Sequence, residues 1–137
     1  ALAAGRTSPA HRSLYARLGG APVVKAIVSD TVDGMLADRR LSPPFQGVNT
    51  RRTKRLIAQF ICQLAGGGCH YAGVTMHEAH ANLHITEAQF FGMVQILRKA
   101  MRRHHVRIRE RNELLARLAP LEPDIVEVKV PPPPRAH

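Results

Sequence analysis

Four stretches of this chain carry apolar side chains at steps of three and four, and none shows the apolar–polar alternation of a half-buried strand. Val24, Ile27, Val28, Thr31, Val32, Met35 and Leu36 form the first and predict a helix over residues 22–38. Pro22 suits its first turn, where an amide hydrogen would have no partner. Thr53, Leu56, Ile57, Phe60, Ile61 and Leu64 predict a second helix, capped by Asn49 or Thr50 and stopped by Gly66-Gly67-Gly68. Phe90, Met93, Val94, Leu97 and Met101 predict a third, opened by Thr86 and Gln89 in the form of a capping box. Ile108, Leu114, Leu115 and Leu118 predict a fourth from about Arg107, ending near Pro120 or Pro123. The expected fold class is all-α.

The chain has 137 residues, 45% of them hydrophobic, which suits one domain with one buried core. No apolar run reaches the ~20 residues of a membrane span, so none is expected. Residues 1–12 read as a flexible N-terminal extension, 13–126 as the domain, and 127–137, with VPPPPRAH, as an extended proline-rich tail. The start, ALAAGRTSPAHR, is basic and free of acids, which fits either a disordered tail or the remnant of a transit peptide. Cys62 and Cys69 have no further cysteine with which to build a zinc ribbon or a disulfide scaffold. Reduced thiols in a cytoplasmic location are therefore expected, or an organellar one if residues 1–12 are a transit remnant.

Lys and Arg number 20 against 10 Asp and Glu, concentrated in Arg51, Arg52, Lys54, Arg55 and again from Arg98 to Arg111. Such a field attracts anions, and one reading is a basic helical module that grips nucleic acid or another anionic partner. Its ordinary meaning is a solvated helix face, and the chain has no Trp to stack bases.

There is no nucleophile elbow, phosphate loop or pair of carboxylates; the triple glycine lacks the Lys and Ser/Thr of a P-loop and follows a helix. Residues 76–82 could form a short helix carrying His77 and His80, with His84 beyond it. Imidazoles at steps of three and four can share a metal, but no acidic or cysteine partner other than Cys69 stands where it could complete such a site, and histidines near a loop are commonly solvated. A single axial histidine asks for less: one imidazole and a flat apolar slot, as for haem iron. Phe45, Phe60, Ile61, Met76, Phe90 and Leu118 could supply that slot, or could be ordinary core.

The order of several short motifs adds to this. Leu14-Tyr15-Ala16-Arg17-Leu18-Gly19-Gly20 is followed by Leu36-Ala37-Asp38, Pro44-Phe45, Gly47-Val48-Asn49, Gly66-Gly67 and Tyr71-Ala72-Gly73. Met76, Ala79-His80, Ile85-Thr86, Phe90 and Ala119-Pro120-Leu121 complete the series. Over residues 13–126 the chain thereby resembles the group I truncated haemoglobins. The resemblance implies a two-over-two helical sandwich around haem b, and a function of reversible binding of a diatomic gas such as O2, CO or NO. It implies that His80, a few residues before Ile85-Thr86, is the iron ligand, in preference to His77 and His84. It also implies that Phe45 packs on the haem face and that Phe60, Ile61, Met76, Phe90 and Leu118 line the haem.

On the opposite, distal side the chain departs from the family's pattern. Members that bind oxygen tightly carry a Tyr on the first long helix and a Gln on the second, both aimed at the gas. The resemblance puts Val32 at the Tyr position, faced by Thr53, Leu56 and Ile57, of which only Thr53 can donate a hydrogen bond. Each lost donor is worth ~1–3 kcal/mol in a dry pocket, so CO and NO should suit this site better than tightly held oxygen. A redox enzyme at the same iron, an NO dioxygenase or nitrite reductase served by a separate reductase, is the alternative. A monomer or weak dimer is expected.

Overall fold

The structure, a computed structural model, describes residues 12–129. The extension before Arg12 and the proline run of the tail lie outside the described residues. Seven α-helices occur among them: α1 (Leu14–Leu18), α2 (Gly20–Leu36), α3 (Thr50–Leu64), α4 (Met76–His80), α5 (Glu87–Arg103), α6 (Ile108–Leu118) and α7 (Glu122–Ile125). Two short 3-10 turns, Pro43–Phe45 and Ala119–Leu121, join them, and among the described residues the only pairing of strand type is an isolated bridge between Thr86 and Val128. No described helix is long and apolar enough to cross a membrane.

The four expected helices are present as α2, α3, α5 and α6, each ended by local chemistry. Asn49 caps α3 by accepting the Arg52 amide, and Thr86 and Gln89 cap α5 reciprocally. Helix α2 begins at Gly20 and not at Pro22, because α1 precedes it directly and the chain turns at Gly19, with φ 121°. Helix α1 itself, capped by Ser13, is too short to show a period. Ile108, expected in the core, is 64% exposed in the first turn of α6, whereas Leu114 is buried. Leu118 ends that helix, and Pro123 stands in the first turn of α7 instead of ending α6.

Helix α2 packs on both α3 and α5, α1 lies on α2 and α6, and α4 lies on α7. The apolar stripes meet in one core that includes Leu14, Val24, Val28, Val32, Leu97, Met101 and Leu114. At the crossing of α2 and α5, a Cβ on Gly34 would come within 2.7 Å of Ile96. The glycine thus permits a close helix approach, at the cost of ~0.5–1 kcal/mol of helix propensity.

An ion network fixes α1 to α6. The Arg17 guanidinium donates to both carboxylate oxygens of Glu113 at 2.9 and 2.8 Å, and Arg117 donates to the same carboxylate at 2.8 Å. Hydrogen bonding from Arg17, followed by its charge and that of Arg117, holds the Glu113 carboxyl below its ordinary value of 4.5. A group whose folded value is depressed contributes stability above the ordinary value and loses it as pH falls through the folded one. The melting temperature should therefore fall more steeply in acid, from about pH 4.5 downward, for the natural chain than for Glu113→Gln. Parallel slopes would show that the pair is too well solvated to matter.

The cysteines correct the sequence reading: Cys62 and Cys69 form a disulfide, not reduced thiols, which removes the thiol-based ground for a cytosol-like compartment. Seven residues of continuous helix would separate them by about 10 Å, but the chain reverses at Gly66 (φ 77°) and Gly68 (φ 80°), and their Cα atoms are 5.7 Å apart. A Cβ on Gly67 would stand 2.6 Å from the Cys62 sulfur and 2.7 Å from the Tyr15 ring, so only glycine fits. Closing so small a loop should contribute about 2.5 kcal/mol. Dithiol reduction, or Cys69→Ala, should lower the denaturant midpoint accordingly, and equal midpoints with and without reductant would show that the bridge does not form.

Candidate functional site

Helix α4 is a single turn of five residues, too short to hold itself in water. Thr75 caps it, its Oγ1 accepting the Glu78 amide at 3.1 Å, and α7 packs beneath. In this turn His80 places Nδ1 2.8 Å from the carbonyl oxygen of Met76. A carbonyl can only accept, so Nδ1 carries a proton, and in the neutral ring this leaves the lone pair on Nε2, the form in which imidazole binds a metal. His80 is half-buried, whereas His77 and His84 are exposed. Among the described residues no group of three His, Cys, Asp or Glu stands close enough to hold a metal ion, so the three-histidine site expected as one alternative is not assembled.

His80 lines a cavity of about 370 Å³ that brings together the expected haem-lining and distal residues, but not His77 or His84. Phe45, Phe60, Ile61, Met76, Phe90 and Leu118 are in its wall, and so are Val32, Thr53, Leu56 and Ile57. The 3-10 turn brings Phe45, α3 brings Phe60 and Ile61, and α5 brings Phe90, so the wall draws on elements far apart in the chain. The structure adds Tyr71, whose ring meets the edge of Phe60 with centroids 5.3 Å apart, and Gln89. Tyr71 sits where it does because the Gln63 side chain accepts its amide, and that of Gln59 accepts the Ala72 amide. No periodicity marks these loop residues; the glutamines on α3 were their one signal.

Among the described residues no charged side chain lines the cavity, and the five polar ones that do are Thr31, Thr53, Tyr71, His80 and Gln89. Three are already committed. Thr31 donates its hydroxyl to the Ile27 carbonyl at 2.7 Å, and Thr53 donates to the Asn49 carbonyl at 3.0 Å. Gln89 accepts the Thr86 amide and donates to the Arg40 carbonyl. What is left is one phenol and one imidazole nitrogen facing an apolar slot, a donor set that fits a flat apolar group with a single axial metal bond.

The basic residues lie elsewhere. Arg51, Arg52 and Arg55 are exposed on α3, and Lys54 is drawn into an ion pair with Asp33 at 2.8 Å and a bond to Ser29.

The family model for bacterial-like globins matches residues 13–127. The group 1 truncated hemoglobin GlbN of Mycolicibacterium paratuberculosis is 32% identical over 113 residues, covering 82% of this chain and 83% of that protein. The chain belongs to the group I truncated haemoglobins. Among solved structures, the Fe(III) form of the truncated hemoglobin of Tetrahymena pyriformis superposes with a TM-score of 0.81 at 25% identity, over 84% of this chain and 98% of that one. The 2/2 hemoglobin of a Synechococcus species, solved in the cyanomet state with covalently attached heme, superposes with a TM-score of 0.73 at 25% identity, over 79% and 91%. The truncated globin fold accounts for a cavity whose wall draws on α2, α3, α4 and α5.

Proposed function

We propose that this truncated globin holds haem b in the cavity through Nε2 of His80 and reversibly takes up a diatomic gas on the opposite face. The observation that carries the reading is the imidazole with its Nδ1 proton spent on Met76, facing a wall whose threonine and glutamine groups are already bonded. When bound, ferrous haem supplies an open coordination position for a gas. The Met76 carbonyl orients the ring and raises its basicity, as hydrogen bonds to ligating histidines do. Phe45, Phe60, Ile61, Met76, Phe90 and Leu118 exclude water from the ring.

On the gas side Val32 is 1% exposed, and the Thr53 proton is spent on Asn49. Val32, Thr53, Leu56 and Ile57 therefore offer bulk without a free donor. Such a face suits CO and NO, which depend little on hydrogen bonds, better than it suits dioxygen. NO dioxygenation, which needs dioxygen to be held until NO arrives, is disfavoured by the same argument.

Titrating the haem-free protein with haemin tests the reading. Saturation at one equivalent with a sharp Soret band, moving on reduction and again on CO addition, is expected. Uptake without saturation would overturn it.

A further inference from the structure

Beyond α7 the chain runs back across the loop that follows His80. The Glu127 and Val128 amides donate to the Ile85 carbonyl at 2.9 and 3.0 Å, and the Val128 carbonyl accepts the Glu87 amide at 3.3 Å. These residues belong to the stretch read from sequence as tail. The Glu127 side chain reaches further: one carboxylate oxygen accepts the Asn82 amide at 3.0 Å and the other the His84 amide at 2.7 Å. Asn82 and His84 have φ of 64° and 55°, a left-handed backbone that residues other than glycine adopt only when their surroundings impose it.

We propose that Glu127 is a positioning residue for His80, acting through the two amides that its carboxylate spans. The argument rests on the haem reading above. Helix α4 is one turn long, so its place is decided at its ends. Thr75 holds the start; at the other end, His80 is followed immediately by Ala81 in extended backbone and by the two left-handed residues. A carboxylate is the one side-chain group that offers an acceptor to each amide without bringing a donor that would repel one of them. Charge-assisted bonds of this kind are short and strong, as the 2.7 Å contact is. The hydrogen bonding from Asn82 and then His84 also lowers the Glu127 pKa, so the carboxylate is the form present at neutral pH. Through this clamp the C-terminal segment would set the height and tilt of the His80 imidazole in the cavity, and with it the strength of the bond its Nε2 could make to a haem iron.

Resonance Raman spectra of ferrous, gas-free natural protein, Glu127→Ala and Glu127→Gln test this, together with amide hydrogen exchange at Asn82 and His84 in the full chain. In the natural protein a sharp iron–histidine stretching band is expected; its absence would overturn the haem reading itself. In Glu127→Ala the band should shift and broaden, and exchange at both amides should rise roughly tenfold or more, the loss of a hydrogen bond to a charged group. Glu127→Gln keeps one acceptor and should fall between, protecting one amide only. Should the alanine variant not fold, the glutamine variant alone decides. An unchanged band, with or without faster exchange or a lower melting temperature, would reduce Glu127 to a structural role and overturn the inference.

Discussion

Val32→Tyr should slow the release of dioxygen from the haem-loaded protein by roughly one to two powers of ten. Val32 is on α2, buried, and in the wall of the cavity that His80 also lines; the proposed function puts it on the gas side. The Thr53 hydroxyl already donates to Asn49, so Val32, Thr53, Leu56 and Ile57 have no proton to offer a gas that gathers partial negative charge. A phenol there adds one donor in a dry environment, worth ~1–3 kcal/mol, and about 1.4 kcal/mol is tenfold in an equilibrium. The gain falls mainly on the off-rate, because the bond forms after the gas has arrived. Release of CO should change far less.

Val32→Phe is the control, since it adds the ring without the hydroxyl; both variants crowd a well-packed wall and should lose some stability. Stopped-flow displacement of O2 by CO gives the rates. Equal oxygen release from Val32→Tyr and Val32→Phe would show that position 32 does not face the gas.

The second large effect is expected at His80. Removing its imidazole in His80→Gly takes away the axial ligand and leaves a hole of imidazole size beside the Met76 carbonyl, which then has no ring donor. The Soret band of the reconstituted protein should collapse or shift, and should return on addition of free imidazole, which can occupy the hole and bond the same carbonyl. His77→Gly and His84→Gly should leave the spectrum unchanged, since both side chains are exposed and outside the cavity wall. A spectrum indifferent to His80 but altered by either neighbour would move the axial ligand and, with it, the assignment of the two cavity faces.

Much of this site was legible because its walls are long helices. Val32, Thr53, Leu56, Ile57, Phe60 and Phe90 lie on α2, α3 and α5, where the step of three and four marks the inward face before any contact is known. Selecting His80 from three histidines took the family pattern, because spacing alone treats them alike; burial and the Met76 bond then distinguish it physically. Tyr71 and the commitment of the Thr53 proton were not legible, since a loop has no period and a hydroxyl's partner depends on its rotamer.

The sequence by itself determined the all-α class, the four long helices, their caps at Asn49 and Thr86, the helix stop at the triple glycine and, apart from Leu36 and Ile108, the apolar face that each helix turns inward. All are local: a cap reaches three residues and an amphipathic period repeats within one turn. Only the tertiary structure decided what depends on segments meeting. It made a single-turn helix of α1, ended the short helix expected over residues 76–82 at His80, and closed Cys62 on Cys69 across a turn. It also set Glu127 against amides 45 and 43 residues earlier. Such contacts leave no periodic trace, because each joins two positions whose separation in the chain is fixed by the path of the fold and not by the geometry of any one element.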